Sequence, residues 1–447
     1  EDKDWVLYAA AADPSIMRNR LMFDTFRDMT GGWSVNSMYV ELVVNGEYKG
    51  VYVLMDKITA NMGDEEVEKD GRVEVEWKLD KQGSTTQEGF IVKFDKTDIV
   101  DRYENTSGDQ KTFKSTYSGH DGFTTYDTQI DQRFEIEYPE KEDIEEEDLD
   151  NNKGAGEWSE VFNTIKEKFN KFEYELAKGN FTEVQKLIDY TSWADWFIIT
   201  EFGKNIDGYR ASNLFVYDGS KPNAKIEARP LWDQELSFNN QASKGTSDKG
   251  CDSTTGLLIQ HSNVYSDAFK APFWFTGGSS DIEGGLLSDP CFVQVVKERW
   301  NMHQFDALSK KSLEDLVDEY EDELAPEGTT ENALTRETAF WDGKSRGNCD
   351  CSYDTGNATA TGYQNKTFAE SAKGSAETLE RELLKIKDLD VSKMNTDEMK
   401  IKVKELTTVI QNEADGWQSI LSEIFAKEAD GTFKNSVEEQ LKLLKIK

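Results

Sequence analysis

Basic residues, histidine, cysteine and proline are all scarce in this chain of 447 residues. It contains 3 His, 4 Cys and 7 Pro, and its 52 Lys and Arg are outnumbered by 87 Asp and Glu. No stretch approaches the ~18 consecutive apolar residues of a transmembrane helix, which excludes a membrane span by hydropathy. The histidines and cysteines form neither an HExxH nor a CxxC pattern, so the sequence argues against a zinc site.

The excess of acidic residues gives a formal net charge of −35. A surface this acidic repels nucleic-acid phosphates and anionic lipid, which argues against a nucleic-acid partner. It favours solubility, cationic partners or divalent ions. The simplest interpretation is a solvated acidic surface, because net charge informs about solubility rather than about the fold.

Cysteine and glycosylation patterns indicate an oxidising, extracellular setting. The four cysteines are Cys251, Cys291, Cys349 and Cys351. N-glycosylation sequons begin at Asn105, Asn180, Asn357 and Asn365. An even cysteine count together with sequons predicts a secreted glycoprotein. A Cys349–Cys351 bridge would close a strained ring, so each is expected to pair with Cys251 or Cys291; four independent thiols are the alternative.

The first thirty residues predict a strand followed by a helix. Trp5–Ala12 is an apolar run typical of a buried strand. Asp13-Pro14 predicts the start of a helix, which Gly31-Gly32 ends. Arg18 and Arg20 are expected on the polar side of that helix.

Strands dominate the first third of the chain and helices the rest. Asn45-Gly46 between β-rich runs predicts a type I′ hairpin, and further strands are expected around 72–79 and 89–95. From Trp158 the pattern becomes helical, and 193–202 is apolar on almost all sides, as in a helix buried at the centre of a lobe. This order predicts an α+β, two-lobed architecture in a single domain, 1–447. The domain is expected to comprise a strand-rich lobe (1–157), a helical lobe (158–345) and a helical C-terminal extension (346–447).

Three polar residues follow the central helix in a suggestive order. Asp207 lies in a loop, Asn213 begins a strand six residues later, and Asp233 follows a second strand. Phosphoryl transfer requires a carboxylate near the attacking hydroxyl, and an amide oxygen and a second carboxylate that hold Mg²⁺. Protein kinases place these groups across a hairpin. Asp and Asn are also common in turns and caps, so a purely structural role for them is the alternative.

Several segments, taken in order, resemble the CotH (spore coat protein H) kinase family. They extend from Trp5 to about residue 345 and read WVLYAAAADPSIMRNRLMFDTFRDM, YVELVVNGEYKGVYVLMDKI, EGFIVKFDK, FEIEYPEKEDI, WFIITEFGKNIDGYRASNLFVYD, RPLWDQELSFN and SDPCFVQVVKERW. Several motifs kept in one order are far more specific than any one of them. The resemblance implies a compact protein-kinase-like fold that binds ATP and Mg²⁺ and phosphorylates secreted or surface proteins.

The same resemblance implies roles for individual residues. Asp207 would be the catalytic carboxylate and Asp233 a metal ligand, with Asn213, or less well Ser212, as the second ligand. The implied cofactor-binding residues are Arg18, Asp56, Asn205 and Arg210. For Asn205 and Arg210, loop hydrogen bonds and an ion pair with Glu201 are an equally good interpretation.

Three function classes remain to be weighed. Family members carry a Gly-rich Arg-Gly-Asn segment and a Lys-bearing strand before the strand that starts here at Trp5, so this chain is expected to begin after those phosphate-binding elements. The leading hypothesis is a secreted kinase acting on protein hydroxyls, since two desolvated carboxylates without a cation would be costly. The alternative is a catalytically inactive, pseudokinase-like scaffold in an extracellular complex. A glycoside hydrolase using Asp207 and Asp233 is a third class.

Overall fold

The computed structural model describes residues 5–341 with several interruptions. Within that range the undescribed residues are 12, 14, 61–72, 81–83, 99–110, 118–129, 142–143, 145–154, 206, 239–257, 261–271 and 278–281. The predicted C-terminal extension, the predicted disulfide partners Cys251, Cys349 and Cys351, and Pro14 therefore lie outside the described residues.

Helices and strands are mixed along the described residues. The α-helices are α1 (Arg18–Thr30), α2 (Ala155–Ala177), α3 (Phe181–Leu187), α4 (Tyr190–Gly203), α5 (Pro290–His303), α6 (Lys310–Leu324) and α7 (Ala333–Trp341). The strands are β1 (Trp5–Tyr8), β2 (Ser37–Val44), β3 (Glu47–Asp56), β4 (Lys78–Leu79), β5 (Thr85–Gln87), β6 (Gly89–Asp98), β7 (Thr112–Phe113), β8 (Ile130–Tyr138), β9 (Asn213–Asp218) and β10 (Ile226–Leu231). This mixture confirms the predicted α+β class.

A three-stranded antiparallel sheet has the order β1-β3-β2. Asn45 and Gly46 both have positive φ, 52° and 83°, as the predicted hairpin turn requires. The prediction of a buried strand over Trp5–Ala12 is wrong: β1 has only four residues, and Trp5 is 53% exposed. The cause is its position at the edge of the sheet, with one face uncovered by the described residues.

The N-cap of α1 is Met17, four residues after the cap expected at Asp13. Asp13 instead organises the preceding turn, because its carboxylate accepts hydrogen bonds from the backbone N–H groups of Ser15 and Arg18, both at 3.0 Å. At the other end Gly31 adopts φ 63° and its N–H donates to the Arg27 carbonyl, so the predicted stop is confirmed.

Two arginines of α1 are buried, which corrects the prediction that they lie on its polar side. Arg18 is paired with Asp13. The Arg20 guanidinium lies 4.3 Å and 4.4 Å from the ring centroids of Tyr39 and Tyr320, and it also forms an ion pair with a glutamate of α6. Burial is tolerated because each charge is compensated, a condition that helical spacing alone does not reveal.

A five-stranded antiparallel sheet has the order β10-β9-β6-β8-β7. The β9–β10 hairpin comes from the helical lobe of the sequence yet pairs with β6 from the strand-rich lobe. An aromatic cluster packs on this sheet, with α4 buried along nearly its whole length, as predicted. Its members include Phe94, Phe134, Phe169, Trp193, Phe215 and Trp274.

Two further expectations concern cysteine and membranes. Cys291, near the start of α5, is an exposed free thiol among the described residues. Its predicted disulfide partners lie outside those residues, so the pairing stays a prediction. Among the described residues, no helix combines the length and the apolar character needed to cross a bilayer.

Candidate active site

The loop that joins α4 to β9 forms the centre of the candidate site. α4 ends at Gly203, and Lys204 follows in the left-handed conformation with φ 50°. The Phe238 N–H donates to the Gly203 carbonyl at 2.6 Å, which brings the segment after Asp233 onto the end of the helix. A Cβ at Gly203 would lie only 2.6 Å from Cε of Met22, so glycine permits this close approach.

Asn205 joins the two acidic residues that the sequence singles out. Its Oδ1 accepts a hydrogen bond from the Asp207 N–H at 3.1 Å, and its Nδ2 donates to the Asp233 carbonyl at 3.3 Å. The same Nδ2 donates to Oε1 of Gln234 at 3.0 Å. Because this amide is buried, it fixes the backbones of both acidic residues relative to each other.

The Asp207 carboxylate is oriented by a neighbour three residues along the loop. Nε of Arg210 lies 2.7 Å from Oδ1 of Asp207, and both side chains are largely buried. The backbone N–H groups of Arg210 and Ala211 donate to the Asp207 carbonyl, which shapes the loop into a tight turn. The charged group is therefore held in place rather than left to rotate in solvent.

Asp233 lies two residues after the end of β10, and its carboxylate accepts a hydrogen bond from a serine hydroxyl. Ser212 Oγ donates to its Oδ2 at 3.0 Å. Four of the seven non-glycine residues with positive φ among the described residues lie around this site, and they are Lys204, Ser212, Asp233 and Phe238. Left-handed backbone at such residues is costly, and it concentrates at functional sites.

Asn213 places a buried amide N–H, unpaired among the described residues, on the hairpin that leads to Asp233. It begins β9 opposite Leu231 of β10, and its Nδ2 is buried without a hydrogen-bond partner among the described residues. The oxygen of an asparagine amide is of the kind that Mg²⁺ takes as a ligand, alongside one or two carboxylates, phosphates and water. No group of three or more His, Cys, Asp or Glu that could hold a metal occurs in the described ranges.

Arg18 and Asp56, the other two predicted cofactor-binding residues, occupy different places. Arg18 Nε donates to the Ser237 carbonyl at 2.9 Å and so supports the segment after Asp233. Asp56 ends β3 in the other sheet, where its Oδ2 accepts from the Asn36 side chain at 2.8 Å. Their roles toward a nucleotide stay predictions.

Glu201, considered from the sequence only as an ion-pair partner, is a structural centre of the site. Its carboxylate accepts hydrogen bonds from the Tyr209 hydroxyl and the Ile259 N–H, both at 2.9 Å, and from the Leu258 N–H. It also lies 3.3 Å from Nζ of Lys204, whose pKa is lowered by burial. The ion pair considered between Arg210 and Glu201 is therefore wrong, because Arg210 pairs with Asp207 and Glu201 pairs with Lys204. The i,i+3 spacing of Glu201 and Lys204 could have predicted their ion pair from the sequence.

Two contacts from the N-terminal segment complete the site. Oδ1 of Asn19 accepts from the Gln234 N–H at 2.6 Å. The Tyr8 hydroxyl donates to the Glu235 carboxylate, and burial raises the pKa of that carboxyl group. β1 and α1 therefore hold the segment 234–238 from one side while α4 holds it from the other.

The chain matches the family described as CotH kinase protein over residues 1–346, and it therefore belongs to the CotH kinase family. Membership suggests a kinase-like function, and with it a nucleotide and a divalent metal. No individually curated protein matches the chain.

Proposed function

We propose that this protein is a secreted kinase that transfers the terminal phosphoryl group of magnesium-bound ATP to hydroxyl groups of proteins. The observation that carries the proposal is the Asn205 amide, which links the backbones of Asp207 and Asp233 in one buried network. Family membership supports the reaction class.

Each site residue has a defined task in this proposal. Asp207 accepts the proton of the attacking hydroxyl, and Arg210 keeps its carboxylate oriented. Asp233 and Asn213 would hold the metal, and the hydrogen bond from the Ser212 hydroxyl orients the Asp233 carboxylate. Bound Mg²⁺ would neutralise charge on the phosphate oxygens, as it does in other phosphotransferases.

Secretion is supported by the sequence and by one described glycosylation sequon. Asn180 is exposed at the N-terminus of α3, where an attached glycan would extend into solvent. If this element of the proposal is correct, mass spectrometry of the secreted protein should find added glycan mass, and treating the cells with tunicamycin, which blocks N-glycosylation, should remove it.

The metal-nucleotide site is tested by thermal denaturation with and without Mg-ATP. Asp233→Asn is the sharpest variant, because asparagine tolerates the left-handed backbone that alanine would strain and still accepts from Ser212. We expect Mg-ATP to raise the Tm of the wild type and not that of the variant. Asp218→Asn, at the far end of the hairpin, is the matched control.

The pseudokinase-like scaffold is favoured by one observation, the internal pairing of Asp207 with Arg210, which satisfies this carboxylate without a substrate. A scaffold would show no transfer of labelled γ-phosphate to itself or to any secreted protein, and no Mg-ATP effect on Tm. That result would overturn the kinase proposal.

A further inference from the structure

A second cleft opens at the opposite end of α4 from the candidate active site. Its volume is about 530 Å³, within the range of ligand-binding clefts. Its walls come from the first turn of α4, the turn end of the β9–β10 hairpin, the end of α1, and Arg299 of α5. α4 has 14 residues and so spans about 21 Å, which separates this cleft from Asp207.

The charged residues of the cleft are mostly acidic. Its carboxylates belong to Glu74, Asp189, Asp195, Asp218 and Glu227. Its cationic groups belong to Lys221, Arg229 and Arg299. The excess of carboxylates favours a cationic ligand over an anionic one.

All three basic side chains are engaged by the cleft's own carboxylates. Arg299 binds Asp195 with two hydrogen bonds, Nε to Oδ1 at 2.6 Å and Nη2 to Oδ2 at 2.8 Å. Arg229 pairs with Glu227, and Lys221 lies 3.2 Å from the same carboxylate. An incoming anion would therefore have to displace an existing ion pair.

Asp189 supplies negative charge that no Lys or Arg of the described residues neutralises. Its Oδ1 accepts the Ser192 N–H at 2.8 Å and thereby caps α4, which removes this helix end as an anion site. The pKa of Asp195 is raised to about 6, mainly because the carboxyl group is buried. The charge of Asp189 adds to this increase, and Arg299 opposes it. The lining side chains of the cleft include five carboxylates and three cationic groups.

Trp33 adds an aromatic wall. It is partly buried, and its indole Nε1 has no hydrogen-bond partner in the portion of the chain that the structure describes. Indole faces attract guanidinium and ammonium groups, an effect that strengthens when carboxylates lie nearby. We propose that this cleft binds Arg or Lys side chains of a basic segment on a protein partner. A net charge of −35 would draw such a segment toward the surface.

The test measures binding of a fluorescent Arg-Ser repeat peptide by anisotropy, in physiological salt and without nucleotide. A citrulline-Ser peptide of equal length is the matched probe, since it removes the charge and keeps the shape. We expect the arginine peptide alone to bind. Asp189→Asn should weaken its binding about two- to fivefold while preserving the helix cap.

Two further variants distinguish binding at the cleft from non-specific attraction of the basic peptide to the acidic surface. Trp33→Leu should weaken binding, with thermal melting as the check on folding, whereas Asp322→Asn on the exposed side of α6 should leave it unchanged. Equal loss with Asp322→Asn, equal binding of the citrulline peptide, or tighter binding of a phosphoserine peptide would overturn the proposal. None of these results depends on phosphoryl transfer, so the kinase proposal stands or fails separately.

Discussion

Two regions of the molecule bury acidic side chains in different ways. In the interior, Glu173 and Glu201 are each surrounded by donors from distant segments. Glu173 accepts from Ser115 Oγ at 2.6 Å and from Trp274 Nε1 at 2.9 Å. At the loop end of α4, the partners of Asp207 and Asp233 include the nearby Arg210 and Ser212. The interior acids join segments of the fold. Asp233, in contrast, has left-handed backbone, as expected of a ligand-binding group, and Nδ2 of Asn213 on the same hairpin has no hydrogen-bond partner among the described residues.

The largest expected effect is on stability, from Glu201→Ala. This change leaves the Lys204 ammonium buried and two backbone N–H groups without an acceptor. We expect a loss of about 3–5 kcal/mol in the free energy of unfolding. Urea denaturation measures it.

The chain offers a matched control for Glu201→Ala in Glu183, which pairs with Lys186 at the same i,i+3 spacing on an exposed surface. Glu183→Ala should change stability little. A similar loss of stability in both variants would contradict the distinction between buried acidic residues that join segments of the fold and acidic residues on the surface.

Asp207→Asn should act on catalysis instead. The amide keeps the shape of the side chain and an acceptor for Arg210, but it cannot take a proton from a hydroxyl. Phosphoryl transfer should fall about 10²- to 10⁴-fold. The Mg-ATP effect on Tm should persist, because the metal ligands are untouched; loss of nucleotide binding along with transfer would assign Asp207 to binding.

Local features of the fold could be predicted from the sequence. The Asn45-Gly46 turn and the Gly31 stop depend on backbone preferences of neighbouring residues. The burial of Arg18 and Arg20 could not be predicted, because the groups that compensate their charges include residues distant in sequence. The same holds for the pairing of β9 with β6, which unites strands from both lobes of the chain.

The candidate site divides in the same way. Asp207, Asn213 and Asp233 stand out by their order and by resemblance to a family. Asn205, which links Asp207 to Asp233, was singled out only by that resemblance. Glu201 and Asn19 act through contacts with residues 258–259 and 234 that no local pattern encodes.

The pH dependence of stability tests whether an interior acid is ionised. Burial raises the pKa of Glu173 from 4.5 to about 7. Since the folded state then binds the proton more tightly than the unfolded chain, this stabilisation is complete below about pH 4.5 and is lost as pH rises through about 7. The shift corresponds to about 3 kcal/mol. Between pH 5 and pH 8, the free energy of unfolding should change less with pH in Glu173→Gln than in the wild type. An unchanged pH dependence would show that another group is responsible for it.

The smallest expected effect on stability comes from Asn213→Ala, and it depends on whether ligand is bound. Without ligand, removing a buried amide that lacks a partner costs little and can offset the loss of packing, so the free energy of unfolding should change by less than about 1 kcal/mol. With Mg-ATP, the variant should lose some of the Tm increase shown by the wild type, because a metal ligand is gone. A large loss of stability without ligand would instead make Asn213 a structural residue like Glu201. The loop end of α4 would then resemble the interior, and the metal would have to depend on Asp233 and Ser212.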